Sequence, residues 1–133
     1  MMAQARIRPL VAGNWKMHLS HHEALALTRD LQQLLAQRFG TSADLPEIAI
    51  CPPFTALAAC AGQLAGDDRI QLGAQNCDWR DQGAYTGEVS VPMLKAHGCR
   101  FVIVGHSERR QWFGDDDEAV GRKTEAVLRH GLR

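Results

Sequence analysis

FVIVGHSERR, residues 101–110, is a short apolar run, mostly β-branched, that passes straight into glycine, histidine and serine. A run of this kind suits a strand of a parallel sheet buried on both faces, with Ser107 and Glu108 opening a helical turn behind it. Toward the N-terminus, IQLGA (70–74), IAIC (48–51) and LVAGN (10–14) repeat the pattern, so strands are expected at 10–14, 48–51, 70–74 and 101–105. Between the first two, Leu27, Leu31, Leu34, Leu35 and Phe39 recur at helical spacing, preceded by Ser20 with Glu23 three residues on. That spacing predicts an amphipathic helix of about five turns opened by a capping box.

The later intervals follow the same order. Pro52 and Pro53 lead to Thr55 and an alanine- and leucine-rich stretch that stops at Gly66, which reads as a short helix with a glycine end. A long, mostly polar loop, 76–89, precedes a helix capped by Ser90, with Pro92 in its first turn, Met93 and Leu94 as apolar contacts and Gly98 at its end. The last helix is expected from Asp116 to His130, with Val120, Thr124, Val127 and Leu128 on one face and Gly131 closing it. Asp115, Asp116, Asp117 and Glu118 stand at its N-terminus, where the backbone dipole favours negative charge, and read as helix-end charge rather than as metal ligands. Strand–helix units in strict alternation, with no linker or low-complexity segment between them, imply an α/β fold in one domain, 1–133. Gly131, Leu132 and Arg133 have the form of a helix stop leading into a fifth strand, so the chain reads as cut at a unit boundary.

Fifteen Lys+Arg balance fifteen Asp+Glu among the 133 residues, and 45% of the chain is hydrophobic, the composition of an ordinary globular domain. A net charge of zero removes the broad attraction exerted by nucleic acids and anionic membrane surfaces, so neither is expected as a partner. No apolar stretch approaches the roughly 20 residues that span a bilayer, and Met1 to Arg6 lacks an apolar signal core, so a cytoplasmic location is expected. The four cysteines, Cys51, Cys60, Cys77 and Cys99, are too widely spaced for a CxxC pair and read as free thiols.

In parallel α/β folds, ligands bind beyond the C-terminal ends of the strands. Gly13, Asn14, Trp15 and Lys16 follow the first strand, Gln75 and Asn76 the third, and Gly105, His106, Ser107, Glu108, Arg109 and Arg110 the fourth. Lys16 brings a compact positive charge suited to a phosphate or a developing oxyanion; the plainer alternative is a solvated lysine. His106 stands where a helix N-terminus disfavours the imidazolium, so it could donate a proton as neutral imidazole; the alternative is a packed loop histidine. Glu108 reads either as a general base or, beside two arginines and within reach of Lys16, as a charge partner that orients the lysine. His18, His21 and His22 have no nearby Cys or Asp to complete a ligand set, so no metal is expected. GAYTGE (83–88) has no lysine or downstream fingerprint of a phosphate-binding loop and reads as a binding or assembly segment.

Together, AGNWKM (12–17), CPPF (51–54), GAQN (73–76), AYTGEVS (84–90) and VIVGHSERR (102–110) resemble the N-terminal half of the triosephosphate isomerase family, in that order and across nearly the whole chain. The last motif is long and specific, whereas CPPF alone is not. The resemblance implies a (β/α)8 barrel of which this chain supplies the first four βα units, a half-barrel. It implies that Asn14 and Lys16 bind substrate, that Lys16 and His106 are catalytic, and that Ser107 and Glu108 form their supporting shell. The family's neutral histidine at a helix N-terminus is carried over with the electrophile role of His106. The reaction implied is the interconversion of glyceraldehyde 3-phosphate and dihydroxyacetone phosphate in glycolysis and gluconeogenesis, through an enediolate stabilised by Lys16 and His106, with no metal or organic cofactor. Tyr85, Thr86 and Gly87 resemble the family's dimer loop, whose threonine reaches the neighbouring subunit's site, and so imply a homodimer. The family's catalytic glutamate, lid and main phosphate-binding amides lie in the half not represented here. The base is therefore expected to be absent from this chain, and the 133 residues alone to have negligible isomerase activity.

Two other readings stand beside this one. A half-barrel has open sheet edges and could be a non-catalytic module that associates with a copy of itself or another chain. Fold physics alone also admits an open flavodoxin-like sheet binding a phosphate-bearing ligand, against which the string of motifs argues.

Overall fold

The structure is a computed structural model that describes residues 7–40 and 45–133, and in it the four apolar runs form one parallel sheet. β1 (Leu10–Asn14), β2 (Glu47–Cys51), β3 (Ile70–Ala74) and β4 (Phe101–Val102) lie in the order β1-β2-β3-β4. Helices α1 (His21–Phe39), α2 (Leu57–Leu64), α3 (Val91–Ala96), α4 (Ser107–Trp112) and α5 (Asp117–Arg129) occupy the intervals. Residues 1–6, read above as lacking an apolar signal core, lie outside the described residues. Among the described residues no helix is long and apolar enough to cross a membrane.

Strand register gives the sheet two unlike faces, because successive side chains alternate. Ile48 aligns with Ile70 and Ile50 with Leu72, and this face, with Ala74 and Val102, meets Leu57, Cys60, Leu64, Leu94 and Val127 from the helices. Each such aliphatic side chain contributes about 1.5–3 kcal/mol when fully buried. The other face aligns Ala12 with Ala49, Asn14 with Cys51 and Gly73 with Phe101. Gly73 is needed there, since a Cβ would stand 2.6 Å from the Cys51 sulfur. Following this face to the C-terminal ends of the strands leads to Asn14 and Gln75, where the polar groups gather.

Expected and observed elements differ in four places, each with a packing reason. β1 reads in the sequence as buried on both faces, yet Val11 is 57% exposed, because among the described residues β1 has a strand neighbour on one side only. β4 pairs only over Phe101–Val102; the Ile103 amide still donates to the Ala74 carbonyl at 2.8 Å, after which the chain turns away through Gly105 at φ +66°. On the free side of β4, the Val102 amide donates to the Arg133 carbonyl and the Arg133 amide to the Arg100 carbonyl, at 2.8 and 2.9 Å. The segment expected to lead toward a fifth strand thus lies beside β4 in the bonding pattern of a parallel neighbour.

α1 opens with the predicted capping box: Ser20 Oγ accepts from the Glu23 amide at 3.3 Å and Glu23 Oε2 from the Ser20 amide at 2.8 Å. Its buried face is not the predicted leucine stripe. Ala24 and Thr28 are buried and Leu31 and Leu35 pack at the edge of the core, while Leu27, Leu34 and Phe39 are exposed. The small side chains let α1 approach α2 closely enough for the Thr28 hydroxyl to reach Cys60 Sγ at 3.5 Å. α5 is rotated in the same sense: Lys123, Ala126 and Val127 are buried, and Thr124 and Leu128 face outward. The other helix ends follow expectation, with Ser90 Oγ accepting from the Met93 amide at the start of α3.

Candidate active site

The β1 strand ends in a left-handed turn that aims Lys16. Its backbone sits at φ +52°, a conformation uncommon outside glycine, and Asn14 Oδ1 supports it by accepting from the Lys16 amide at 3.0 Å. Gln75, one residue past β3, donates from Nε2 to the carbonyls of both Lys16 and Cys51 at 2.8 Å, tying the turn to the neighbouring strands. The Trp15 amide adds a bond to the Cys51 carbonyl at 3.1 Å. So constrained, Lys16 places its ammonium 2.6 Å from Glu108 Oε1, across 92 residues of sequence.

His106 is the N-cap of α4, and its Nδ1 accepts from the Glu108 amide at 3.2 Å. With Nδ1 accepting this bond, Nε2 is the ring nitrogen left to donate a hydrogen bond. Glu108 Oε2 lies 3.5 Å from His106 Nδ1, beyond a good hydrogen bond. The hydrogen bond from Lys16 holds the Glu108 carboxyl below the ordinary glutamate range, against a smaller opposing effect of desolvation. Of the two readings of Glu108, the geometry fits the charge partner. Its arginine neighbours, expected beside it, point elsewhere: Arg109 pairs with Asp115 at 3.0 Å and Arg110 with Asp117 at 2.8 Å.

Asn14, Lys16, Glu108 and His106 therefore meet at one end of the sheet, and Ser107 does not join them. Ser107 is exposed, and among the described residues its hydroxyl has no hydrogen bond to Lys16 or His106. Tyr85, Thr86 and Gly87 lie in the exposed loop after β3, and among the described residues none of them is hydrogen-bonded to the Lys16 cluster. That loop is ordered from within. The buried Asp78 carboxylate takes two side-chain bonds from Arg80 at 2.8 and 2.9 Å, and the Arg80 guanidinium stacks 3.5 Å from the Tyr85 ring centre. Among the described residues no group of three or more His, Cys, Asp or Glu could hold a metal ion; the His21 and His22 rings lie 3.8 Å apart between centroids, tilted by 40°, at the start of α1.

Two features went unread in the sequence. Gln75 reads in the sequence only as a strand-end polar group, yet its bonds to the Lys16 and Cys51 carbonyls fix the Lys16 backbone. The acidic run before α5 is also not uniform. Asp116 is the N-cap of α5, its side chain accepting from the Ala119 amide at 2.8 Å, but Asp115 is buried and accepts from Lys123 Nζ at 2.9 Å through both oxygens and from Arg109 Nε at 3.0 Å. Burial works to raise the Asp115 pKa, and the Lys123 and Arg109 hydrogen bonds outweigh it and leave it lowered. Asn76, expected at the strand-end cluster, instead accepts from Lys123 at 3.0 Å. The signal for this network was present: Lys123 stands three residues after Val120 and four before Val127, on the face that α5 buries. The four free thiols are buried, and burial pushes Cys51 and Cys77 up to about 11 and Cys99 to about 12.

The family model described as triosephosphate isomerase matches residues 9–133. Among curated relatives, the triosephosphate isomerase of Synechococcus sp. (strain JA-2-3B'a(2-13)) is 54% identical over 127 residues, covering 95% of this chain and 50% of that protein. The triosephosphate isomerase of Chloroflexus aurantiacus is 56% identical over 125 residues, covering 94% and 48%. The crystal structure of triosephosphate isomerase from Bartonella henselae superimposes with a TM-score of 0.83 at 41% identity, over 95% of this chain and 49% of that one. The chain thus spans about half the length of the curated relatives it matches.

Proposed function

The chain belongs to the triosephosphate isomerase family, and from that premise we propose that it carries the substrate-binding and electrophilic part of a site interconverting glyceraldehyde 3-phosphate and dihydroxyacetone phosphate through an enediolate. The observation that carries this reading is the meeting of Lys16, Glu108 and His106 at the C-terminal end of a parallel sheet, from segments 92 residues apart. In this reading the Lys16 ammonium faces the substrate's negative charge, and His106 donates from Nε2 to the carbonyl oxygen as it becomes an enediolate. A neutral imidazole suits that task, because it can give a hydrogen bond, and then a proton, to an oxygen that gains charge. Asn14 holds the turn that presents Lys16, and Glu108 keeps the ammonium within reach of the histidine. Proton transfer between adjacent carbons calls for no metal or organic cofactor.

Glu108 is not the base in this scheme, since a carboxylate bonded to an ammonium is a weak proton acceptor. The 133 residues by themselves are therefore expected to turn over substrate negligibly, as the loss of a positioned base costs roughly two to four powers of ten. Residues 1–133 form the N-terminal part of a single barrel domain, and the enzyme acts in the cytoplasm as a homodimer. The exposed, internally braced loop with Tyr85, Thr86 and Gly87 supports that assembly. The test is a chimaera of this chain with the second half of the Synechococcus relative. Turnover is expected, with His106→Gln lowering it by about two to four powers of ten. A folded chimaera without turnover, or one indifferent to His106→Gln, sinks the reading.

A second reading, a self-associating half-barrel, is favoured by the exposure of Leu10 and Val11 along the β1 edge.

A further inference from the structure

We propose that Lys123 is a positioning residue for His106: through Asp115 and Arg109 it fixes the first turn of α4, and with it the direction of the imidazole at the mouth of the sheet. The inference rests on the reading of His106 as the electrophile. Lys123 is only 4% exposed, and its ammonium bonds to Asn76 Oδ1 at 3.0 Å and to both Asp115 oxygens at 2.9 Å. Asp115 passes the restraint on. Its Oδ2 accepts from Arg109 Nε at 3.0 Å, its amide donates to the Arg109 carbonyl at 3.3 Å, and the Arg109 amide donates to the His106 carbonyl at 2.9 Å.

α5 also holds the residue before His106. Val120 lies so close to Gly105 that a Cβ there would stand 2.9 Å from Val120 Cγ2. The backbone on both sides of His106 is thus braced by one helix, whereas the bond to the His106 ring comes from Glu108 within the same turn. The imidazole therefore points where the turn points. A buried ion pair is often no more stabilising than apolar side chains of the same volume, so stability is a poor account of why this one is ionic. Charged partners with fixed bond directions locate a turn more tightly than apolar contacts do.

The test is nitrogen NMR of the His106 imidazole, with amide exchange, on the 133-residue chain and its Lys123→Met and Arg109→Gln variants. The parent is expected to show a single tautomer, protonated on Nε2. Each variant is expected to show a mixture, with exchange at Glu108, Arg109 and Arg110 faster by about tenfold or more relative to β2 and β3. Arg110→Gln, which breaks only an exposed pair with Asp117, is expected to change neither signal. A uniform rise in exchange across the sheet with an unmoved His106 signal overturns the proposal, as does an equal response to Arg110→Gln. Should Lys123→Met fail to fold, Arg109→Gln decides, because it leaves the buried Lys123–Asp115 pair in place. Neither signal depends on turnover, so an inactive chimaera counts against the isomerase reading and leaves this result standing.

Discussion

At Glu108 a hydrogen bond from the Lys16 ammonium lowers the carboxyl pKa, so the pair is formed at neutral pH. Any stability it lends is complete above the unfolded-state pKa and is lost as pH falls through the depressed folded value. A carbon NMR titration should place the Glu108 midpoint below the ordinary glutamate range and, in Lys16→Met, back within it; equal midpoints in the two proteins would remove Lys16 as the cause. Beside His106, Gly105→Ala combines a strained backbone at φ +66° with a clash against Val120. The strain alone is expected to cost about 1–3 kcal/mol in denaturant unfolding, and a loss below roughly 0.5 kcal/mol would show that the turn relaxes freely. Lys16, His106 and Glu108 were legible in the sequence because each follows directly on an apolar run, and strand order alone brings such ends together. For Lys123 the sequence carries half the signal: its spacing from Val120 and Val127 puts it on the buried face of α5, but its partners Asn76 and Asp115 come from separate segments that spacing does not connect.

Among the elements, β1, β2 and β3 are legible to within a residue, since an apolar run flanked by helices has few other places to go. The helices were legible in position and capping but not in orientation. In α1 the leucines at helical spacing outweighed Ala24 and Thr28 on hydrophobicity, yet close approach to α2 selects small residues for the contact. The consequence is measurable. Leu34→Ala, at a position 49% exposed, is expected to change unfolding free energy by no more than about 0.5 kcal/mol, whereas Leu57→Ala, buried in α2, should cost about 2–5 kcal/mol. Comparable losses at the two positions would mean that the leucine stripe of α1 is covered in solution. β4 was over-read for a related reason: FVIVG has strand composition throughout, but the chain must leave the sheet early to set His106 on the cap of α4.

For the molecule as a whole, the sheet edges decide how the chain behaves by itself. Among the described residues β1 has one side unpaired, with Leu10 and Val11 exposed, and beside it lies an apolar groove lined by Val11, Leu31, Leu35, Phe39 and Ile48. β4, at the other edge, is bonded on its free side to the backbone of Arg133 through two hydrogen bonds. With the β4 edge taken by Arg133, the β1 edge is the one left uncovered among the described residues, and a second copy of the chain is one partner that would cover it. The 133-residue chain should therefore sediment above its monomer mass of 14.7 kDa, with the larger species growing as concentration rises. Val11→Lys, which places a charge in the apolar groove beside Ile48, should shift the distribution toward monomer. A parent chain that stays monomeric at every concentration while keeping its parallel sheet would remove the self-associating reading and leave the barrel reading alone. Association abolished by Val11→Lys would identify the β1 edge as the surface that needs covering, whichever chain covers it.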